Sequence, residues 1–593
     1  MREKRKRDYS KRTALHLLGE LMRPYRGMAA GALVLLLADI SGMLFIPTEL
    51  SAMMNAAVEG AGTEVLTRHG IAMLLASIMG SGSCVASYWL ASRLAARVGR
   101  DLRMKVYQKS LDLTGSEFSS FGTGAMITRT LSDANVVQQT LIMCFTMLAP
   151  LPVTCIVAIV LAWRTDAVMG QLLLVVTLVL LAISAIAVMK TTPIFLKLQT
   201  FIDRMNARLR EAITGTRVIR AFGKEEHERK RLDETFQDYA TNAIRVNFIF
   251  ATTDATCFFV MNLVEFAVMW LGADRVGAHA IEIGSISALV QYAMMILWFM
   301  MMGQFAILQV PRAAACLTRA EAVLSVHPAI EDPEHPASLP EGTDEETVAS
   351  FQHLSFRFAD ASEDTLKDVD FAIRRGVHTA IIGNTGSGKS TIAKMLLRFL
   401  DATEGSIEFL GHDVRDVAQK DLRARIAYVP QTAWLFSGTI AENLREGRED
   451  ATDEELWHAL DVAQAGFVHE LPEGLEAPVA QGGSNFSGGQ RQRLAIARAL
   501  VRKADLYIFD DSFSALDYKT DAALRHAITT ELSGAAVLII AQRVSTIRDA
   551  AQIVVLRDGV VVGKGTHEEL MESCPNYQEI VESQERGGAV DAA

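Results

Sequence analysis

The sequence predicts a chain in two parts. A membrane α-helical domain of six spans with long cytoplasmic helix extensions comes first, and an α/β domain follows. Three observations carry this reading. Half of the 593 residues are hydrophobic and only 21% are charged, which excludes a disordered chain and counts against an ordinary soluble protein of this size. Six apolar stretches of spanning length fill the first half, whereas the second half alternates short β-rich runs with helical patterns. The length allows about four units of ~150 residues.

The apolar stretches lie near 28–50, 70–91, 140–162, 167–189, 248–271 and 286–310. A bilayer core of about 30 Å needs ~20 helical residues, so each is long enough to cross. A soluble helix would show a polar face, and Leu172 to Met189 shows almost none. The first stretch is too long for a signal peptide and no small-residue cleavage site closes it, so it reads as an uncleaved span.

Basic residues set the expected orientation. Arg2, Lys4, Arg5, Lys6, Arg7, Lys11 and Arg12 precede the first span, seven Lys/Arg fall in 92–139 and twelve in 190–247. The other connections carry one each, Arg68, Arg164 and Arg275. By the positive-inside rule both termini and the two long connections are cytoplasmic. Those connections read as helical extensions of the spans, with Arg93, Arg97 and Arg100 at helical spacing and good helix formers from Ile202 to Phe222.

Residues 1–327 carry 33 Lys/Arg against 25 Asp/Glu, and residues 328–593 carry 25 against 44. The basic part suits an anionic lipid surface, and the acidic part argues against nucleic acid as a partner. Cys84, Cys144, Cys155, Cys257, Cys316 and Cys574 are too few for a disulfide framework and lack metal-like spacing, so they read as small buried residues. Asp39, Asp254, Asn262 and Glu265 fall inside spans, where ionisable and polar groups mark cargo sites, gates or paired interior contacts. Met294, Met295, Met300, Met301 and Met302 suit either an adaptable cavity or lipid-facing filler.

His327 to Ser350 is rich in Pro and acid, with no helical or strand period, and reads as a linker. The expected division is therefore 1–327, 328–350 and 351–593. In the last part an apolar strand, Thr379 to Ile382, feeds Gly383, Asn384, Thr385, Gly386, Ser387, Gly388, Lys389, Ser390 and Thr391. Glycines there let backbone N–H groups approach phosphate, the following helix adds its dipole, Lys389 reaches the β- and γ-phosphates, and Ser390 suits Mg²⁺. This is an α/β P-loop nucleotide-binding domain. A second apolar strand, Leu506 to Phe509, ends in Asp510 and Asp511, where a carboxylate holds Mg²⁺ through its water shell. Between them Asn485-Phe486-Ser487-Gly488-Gly489-Gln490 opens a further helix, either a second phosphate-binding end or an ordinary cap.

This order of six spans, phosphate loop, Ser-Gly-Gly-Gln signature and Asp-ended strand resembles an ABC transporter half-molecule of the exporter type, over nearly the whole chain. The resemblance implies two such halves, with ATP and Mg²⁺ sandwiched between the phosphate loop of one and the signature of the other. It places Phe358 as the ring that stacks on adenine and Gln431 as the switch-loop glutamine that senses Mg²⁺ and the γ-phosphate. Ser487, Gly488, Gly489 and Gln490 would face the partner's ATP, Ser514-Ala515-Leu516-Asp517 would cross to the partner's site, and Leu131 to Val136 and Asn206 to Gly215 would be coupling helices.

Two positions depart from that family's pattern. Asp511 stands where the family usually has the Glu that polarises water, and Gln542, in Ile540-Ala541-Gln542-Arg543, stands where it has His. Gln481 likewise replaces a frequent Glu before the signature. Asp reaches one methylene less than Glu, and Gln carries neither charge nor proton as His does. The pattern resembles the degenerate-site subunit of heterodimeric bacterial exporters, whose partner half supplies the intact Glu and His. A homodimer with two slow sites is the alternative. The implied function is ATP-driven export of an amphipathic or hydrophobic substrate across a bacterial cytoplasmic membrane. An importer on the same scaffold and an ATP-gated regulator or channel are the rivals.

Overall fold

The computed structural model describes residues 14–340, 346–359 and 361–591. The basic N-terminal residues from Arg2 to Arg12, and residues 341–345 of the linker stretch, lie outside them. The chain divides into two compact units, Met1–Leu113 with Phe118–His327, and Thr114–Glu117 with Pro328–Ala593.

Among the described residues of the first unit, six helices are long and apolar enough to cross a membrane. They are Ala14–Val58, Thr63–Asp112, Thr123–Thr165, Ala167–Thr191 (the first part of a helix reaching Thr214), Glu225–Gly277 and Ile283–Leu324. Each contains one of the six expected stretches. At 1.5 Å per residue, the 50 residues of the second helix make a rod of about 75 Å, against a hydrocarbon core of about 30 Å. The expected helical extensions are therefore present.

Leu131 to Val136 and Asn206 to Gly215 are not separate elements. The former runs from within a π-helical stretch of the third helix, Thr128–Asp133, into the α-helix that follows, and the latter forms the last turns of the fourth long helix. The short joining helices are Gly115–Phe121 and Thr216–Ala221. The breaks fall where Gly122 and Gly223 take positive φ (79° and 60°), whereas nothing in 128–136 interrupts a helix.

Small residues bring the first two helices together. A Cβ on Gly42 would stand 3.1 Å from the Gly80 Cα, and the Ser87 hydroxyl donates across to the Ala32 carbonyl at 2.8 Å. Backbones approach this closely only where side chains are small. Ile40 and Leu44 thereby join Leu173, Leu289, Ile296 and Leu297 in the bundle core. Two Arg–Asp pairs tie other helices: Arg319 grips Asp133 through both carboxylate oxygens (2.6 and 2.8 Å), and Arg275 holds Asp166 at 2.5 Å.

The second unit carries an antiparallel sheet and a mostly parallel one. The first contains β1 (Thr347–Phe356) and β2 (Leu366–Arg374), and the second opens with β3 (His378–Gly383). β4 (Glu404–Phe409) and β5 (His412–Asp413) complete the antiparallel sheet in the order β2-β1-β4-β5. β6 (Ile426–Val429) belongs to the parallel sheet, and β7 (Gly438–Thr439) pairs with β8 (Pro478–Val479). β9 (Leu506–Asp510), β10 (Ala536–Ile540), β11 (Gln552–Arg557) and β12 (Val560–Gly565) finish the parallel sheet as β12-β11-β3-β10-β9-β6, with only β12 antiparallel. The inner strands are buried on both faces, which is why β9 and β10 read as continuous apolar runs. The carboxyl ends of β3, β9 and β10 converge, the usual place for a ligand in such a sheet.

The Pro-rich stretch is docked rather than loose. Arg398, 4% exposed, donates to the carbonyls of Glu331 (2.9 Å) and Val417 (3.1 Å). Asp332 accepts from the Gln419 backbone and side chain at 3.0 Å, and Ala337 N–H bonds Asp416 O at 2.8 Å. The strand β1 begins at Thr347, inside the stretch expected to be linker. All these partners are distant in sequence, so local pattern gave no sign of them. Arg398→Ala should strand the buried Val417 carbonyl and release Glu331, at a cost of about 1–3 kcal/mol. It should speed Glu-C cleavage at Glu331 and Glu334 several-fold; unchanged cleavage would show that the docking does not depend on Arg398.

Candidate functional site

The site grows from the end of β3. Gly383 closes that strand so tightly against β11 that a Cβ would lie 2.1 Å from the Leu556 carbonyl. Gly388 takes φ 96° and faces Leu366, leaving no room for a side chain. The helix Lys389–Leu396 starts there, so the loop Asn384–Gly388 leads straight into a helix N-terminus, an anion-binding arrangement. The Ser387 hydroxyl is buried and without a hydrogen-bond partner, and Gly386 has nothing within 4 Å of its would-be Cβ. A polar orphan beside open space fits a phosphate ligand.

Lys389 is 7% exposed, and its Nζ donates to the carbonyls of Gly383 and Asn384 at 2.8 Å each. Burial pulls its pKa down, against the opposing pull of Asp511 and Asp510. Ser390 Oγ donates to Asp510 Oδ1 at 2.8 Å, and Tyr428 donates to Asp510 Oδ2 at 3.2 Å. Hard oxygen donors of this kind suit Mg²⁺. Burial and the neighbouring carboxylate push the tyrosine's pKa well up.

Asp511 follows at the end of β9 with φ 48°. Its Oδ2 accepts from the amides of Gln431 (3.0 Å) and Gln542 (3.1 Å). Burial raises the Asp511 pKa and Asp510 adds to that, while the Gln431 hydrogen bond, Lys389 and Arg543 oppose it. The structure therefore brings together Gly383 to Thr391, Gln431, Asp510, Asp511 and Gln542.

Phe358 lies on the segment between β1 and β2, its ring edge-on to Phe356 at 4.8 Å. That segment borders the loop, since a Cβ on Gly388 would stand 3.1 Å from Thr365 O. The signature residues stand apart. Ser487 and Gln490 form a capping box at the start of the helix Gly488–Leu500, with N–H to side-chain distances of 3.2 and 2.8 Å. Among the described residues no hydrogen bond joins them to the phosphate loop. Asp517 caps the next helix through Thr520 N–H at 3.0 Å. Sequence reasoning missed Tyr428, a polar-tipped residue in an apolar strand, and Ser512, whose buried hydroxyl reaches Val429 O at 3.0 Å.

Of the polar groups inside the spans, Asp39 lines a cavity of about 640 Å³ with Cys84 and Met302. Asn262 is exposed, Asp254 and Glu265 are half-buried, and Met300 belongs to the bundle core. Cys84 is exposed and Cys144 half-buried, contrary to the expectation that all six cysteines are buried; the other four are. Cys84 faces that cavity.

Known proteins match this architecture throughout. Residues 30–300 match the ABC transporter transmembrane region and residues 366–514 the ABC transporter domain. An uncharacterized ABC transporter ATP-binding protein of Mycobacterium tuberculosis is 35% identical over 581 residues, 97% of this chain and 99% of that one. An ATP-dependent lipid A-core flippase of Desulfotalea psychrophila is 30% identical over 502 residues, 83% of this chain and 86% of that one. A solved bacterial Atm1-family ABC exporter with ATP bound shares the fold, with a TM-score of 0.79 at 24% identity over 94% of this chain and 98% of that one. The six apolar helices, the phosphate loop and these likenesses converge: the chain belongs to the ABC transporter family, as a multi-pass membrane protein with an ATP-binding domain on the same polypeptide.

Proposed function

We propose that the chain is one half of an ATP-driven exporter in a bacterial cytoplasmic membrane, with both termini in the cytoplasm and an amphipathic or hydrophobic substrate. Its own phosphate-loop site holds ATP and hydrolyses it slowly. The single observation that carries this is the arrangement around Asp511, a short carboxylate whose Oδ2 is engaged by two amides where a free base would be needed. Lys389 and the loop N–H groups would bind the phosphates, and Phe358 the adenine. Ser390, Asp510 and Gln431 would hold Mg²⁺, which supplies charge neutralisation at the β- and γ-phosphates. Ser487, Gly488, Gly489 and Gln490 retain a helix N-terminus fit for a second ATP. That contrast supports a heterodimer, in which the partner half brings the Glu and His to a faster site.

The test is Mg-ATP turnover of the chain purified alone in lipid. Enzymes of ordinary efficiency turn over at roughly 10 per second, and about 1 Å of misplacement costs about a hundredfold. Turnover near ~0.1 per second is expected. Brisk hydrolysis by the chain alone would make Asp511 a competent base and the protein a self-sufficient homodimer.

A further inference from the structure

The cavity of about 640 Å³ lies among the first, second, third and sixth helices, and its size falls in the range of roughly 300–1,000 Å³ typical of sites for drug-sized molecules. Asp39 is its only charged lining residue among the described residues. Among the described residues no cation pairs with that carboxylate, and the Cys84 thiol lines the same wall. The Ser87 hydroxyl in the same wall is already committed to Ala32 O. A carboxylate this deep in a membrane bundle is costly and marks a functional site unless something pairs it. The rest of the wall favours a soft cation. Tyr88 and Trp298 are 54% and 58% exposed with Phe299 beside them, and aromatic faces attract cations. Met302 adds an adaptable thioether. The third helix also widens into a π-helical turn, Cys144–Leu148, on this wall, a distortion that recurs at functional sites.

We propose that this cavity binds an amphipathic organic monocation, with Asp39 as counter-charge and the Tyr88 and Trp298 rings against its apolar body. An anionic lipid headgroup would meet a like charge there. The proposal rests on the exporter reading for its meaning, because the bound cation is then the cargo.

The test uses the full chain in lipid nanodiscs without nucleotide. It is titrated with tetraphenylphosphonium and with tetraphenylborate, ions of one shape and opposite charge, and the signal of empty nanodiscs is subtracted. The cation is expected to bind about tenfold tighter or more, and to slow maleimide alkylation of Cys84, read by mass spectrometry. Asp39→Asn should erase that preference and leave Mg-ATP binding unchanged, while Asp39→Glu should keep it. If Asp39→Asn does not fold, the ion comparison and Cys84 protection in the natural chain decide alone. Equal affinity for the two ions, tighter binding of the borate, or an unprotected Cys84 overturns the proposal. Failure of the exporter reading would look different: the cation binds, but ATP drives no flux of it in reconstituted vesicles.

Discussion

Replacing Asp511 with Glu and Gln542 with His together should raise Mg-ATP turnover of the purified chain by about a hundredfold. The added methylene carries the carboxylate past the point where Asp511 Oδ2 now accepts from both Gln431 and Gln542. Histidine at 542 removes one of those amides and provides a group able to share a proton. Either replacement alone should recover only part of the gain, because groups that act as a unit are non-additive. Phosphate release in lipid is the measurement, with unfolding midpoints confirming that both chains are equally folded. A double variant no faster than the natural chain would place the slow step elsewhere and remove the argument for a degenerate site.

Lys389→Ala should weaken ATP binding by about thirtyfold or more, since truncating one member of a buried charge pair costs about 2–5 kcal/mol. The ammonium donates to the carbonyls of Gly383 and Asn384, both 2.8 Å away. Those two contacts hold it at the mouth of the loop. Titration with a fluorescent ATP analogue measures the loss. Stability should fall by only about 1–3 kcal/mol, the cost of leaving those carbonyls unpaired, so the variant remains folded enough to assay. Affinity within about threefold of the natural chain would mean that this loop is not the phosphate site.

Much of this protein is legible in its sequence because its constraints are local. A bilayer demands ~20 apolar residues in a row, and each of the six long helices contains one such stretch. A phosphate loop demands glycines between a strand and a helix, and Gly383 to Lys389 sit where that grammar puts them. Relations between distant residues were not legible. The docking of Glu331 and Asp332 depends on Arg398 and Gln419, and Tyr428 meets Asp510 only because β6 lies beside β9. The joints between long helices were also misplaced, since Leu131 to Val136 looks no different from a connection until Gly122 is seen to take the turn. The carboxylate at 39 was visible in the sequence. The absence of a cation beside it needed the fold.

The second helix has a mechanical consequence. Thr63–Asp112 is unbroken by proline along its 50 residues, so it behaves as a stiff beam rather than a hinged arm. At about 75 Å, a rotation of about 5° at one end sweeps the other through about 6 to 7 Å. Angular play too small to disturb packing in the bilayer becomes, at the far tip, a displacement longer than one helical turn. A stiff beam gives leverage in both directions, so a modest shove at the tip is geared down into a fine adjustment beside Cys84.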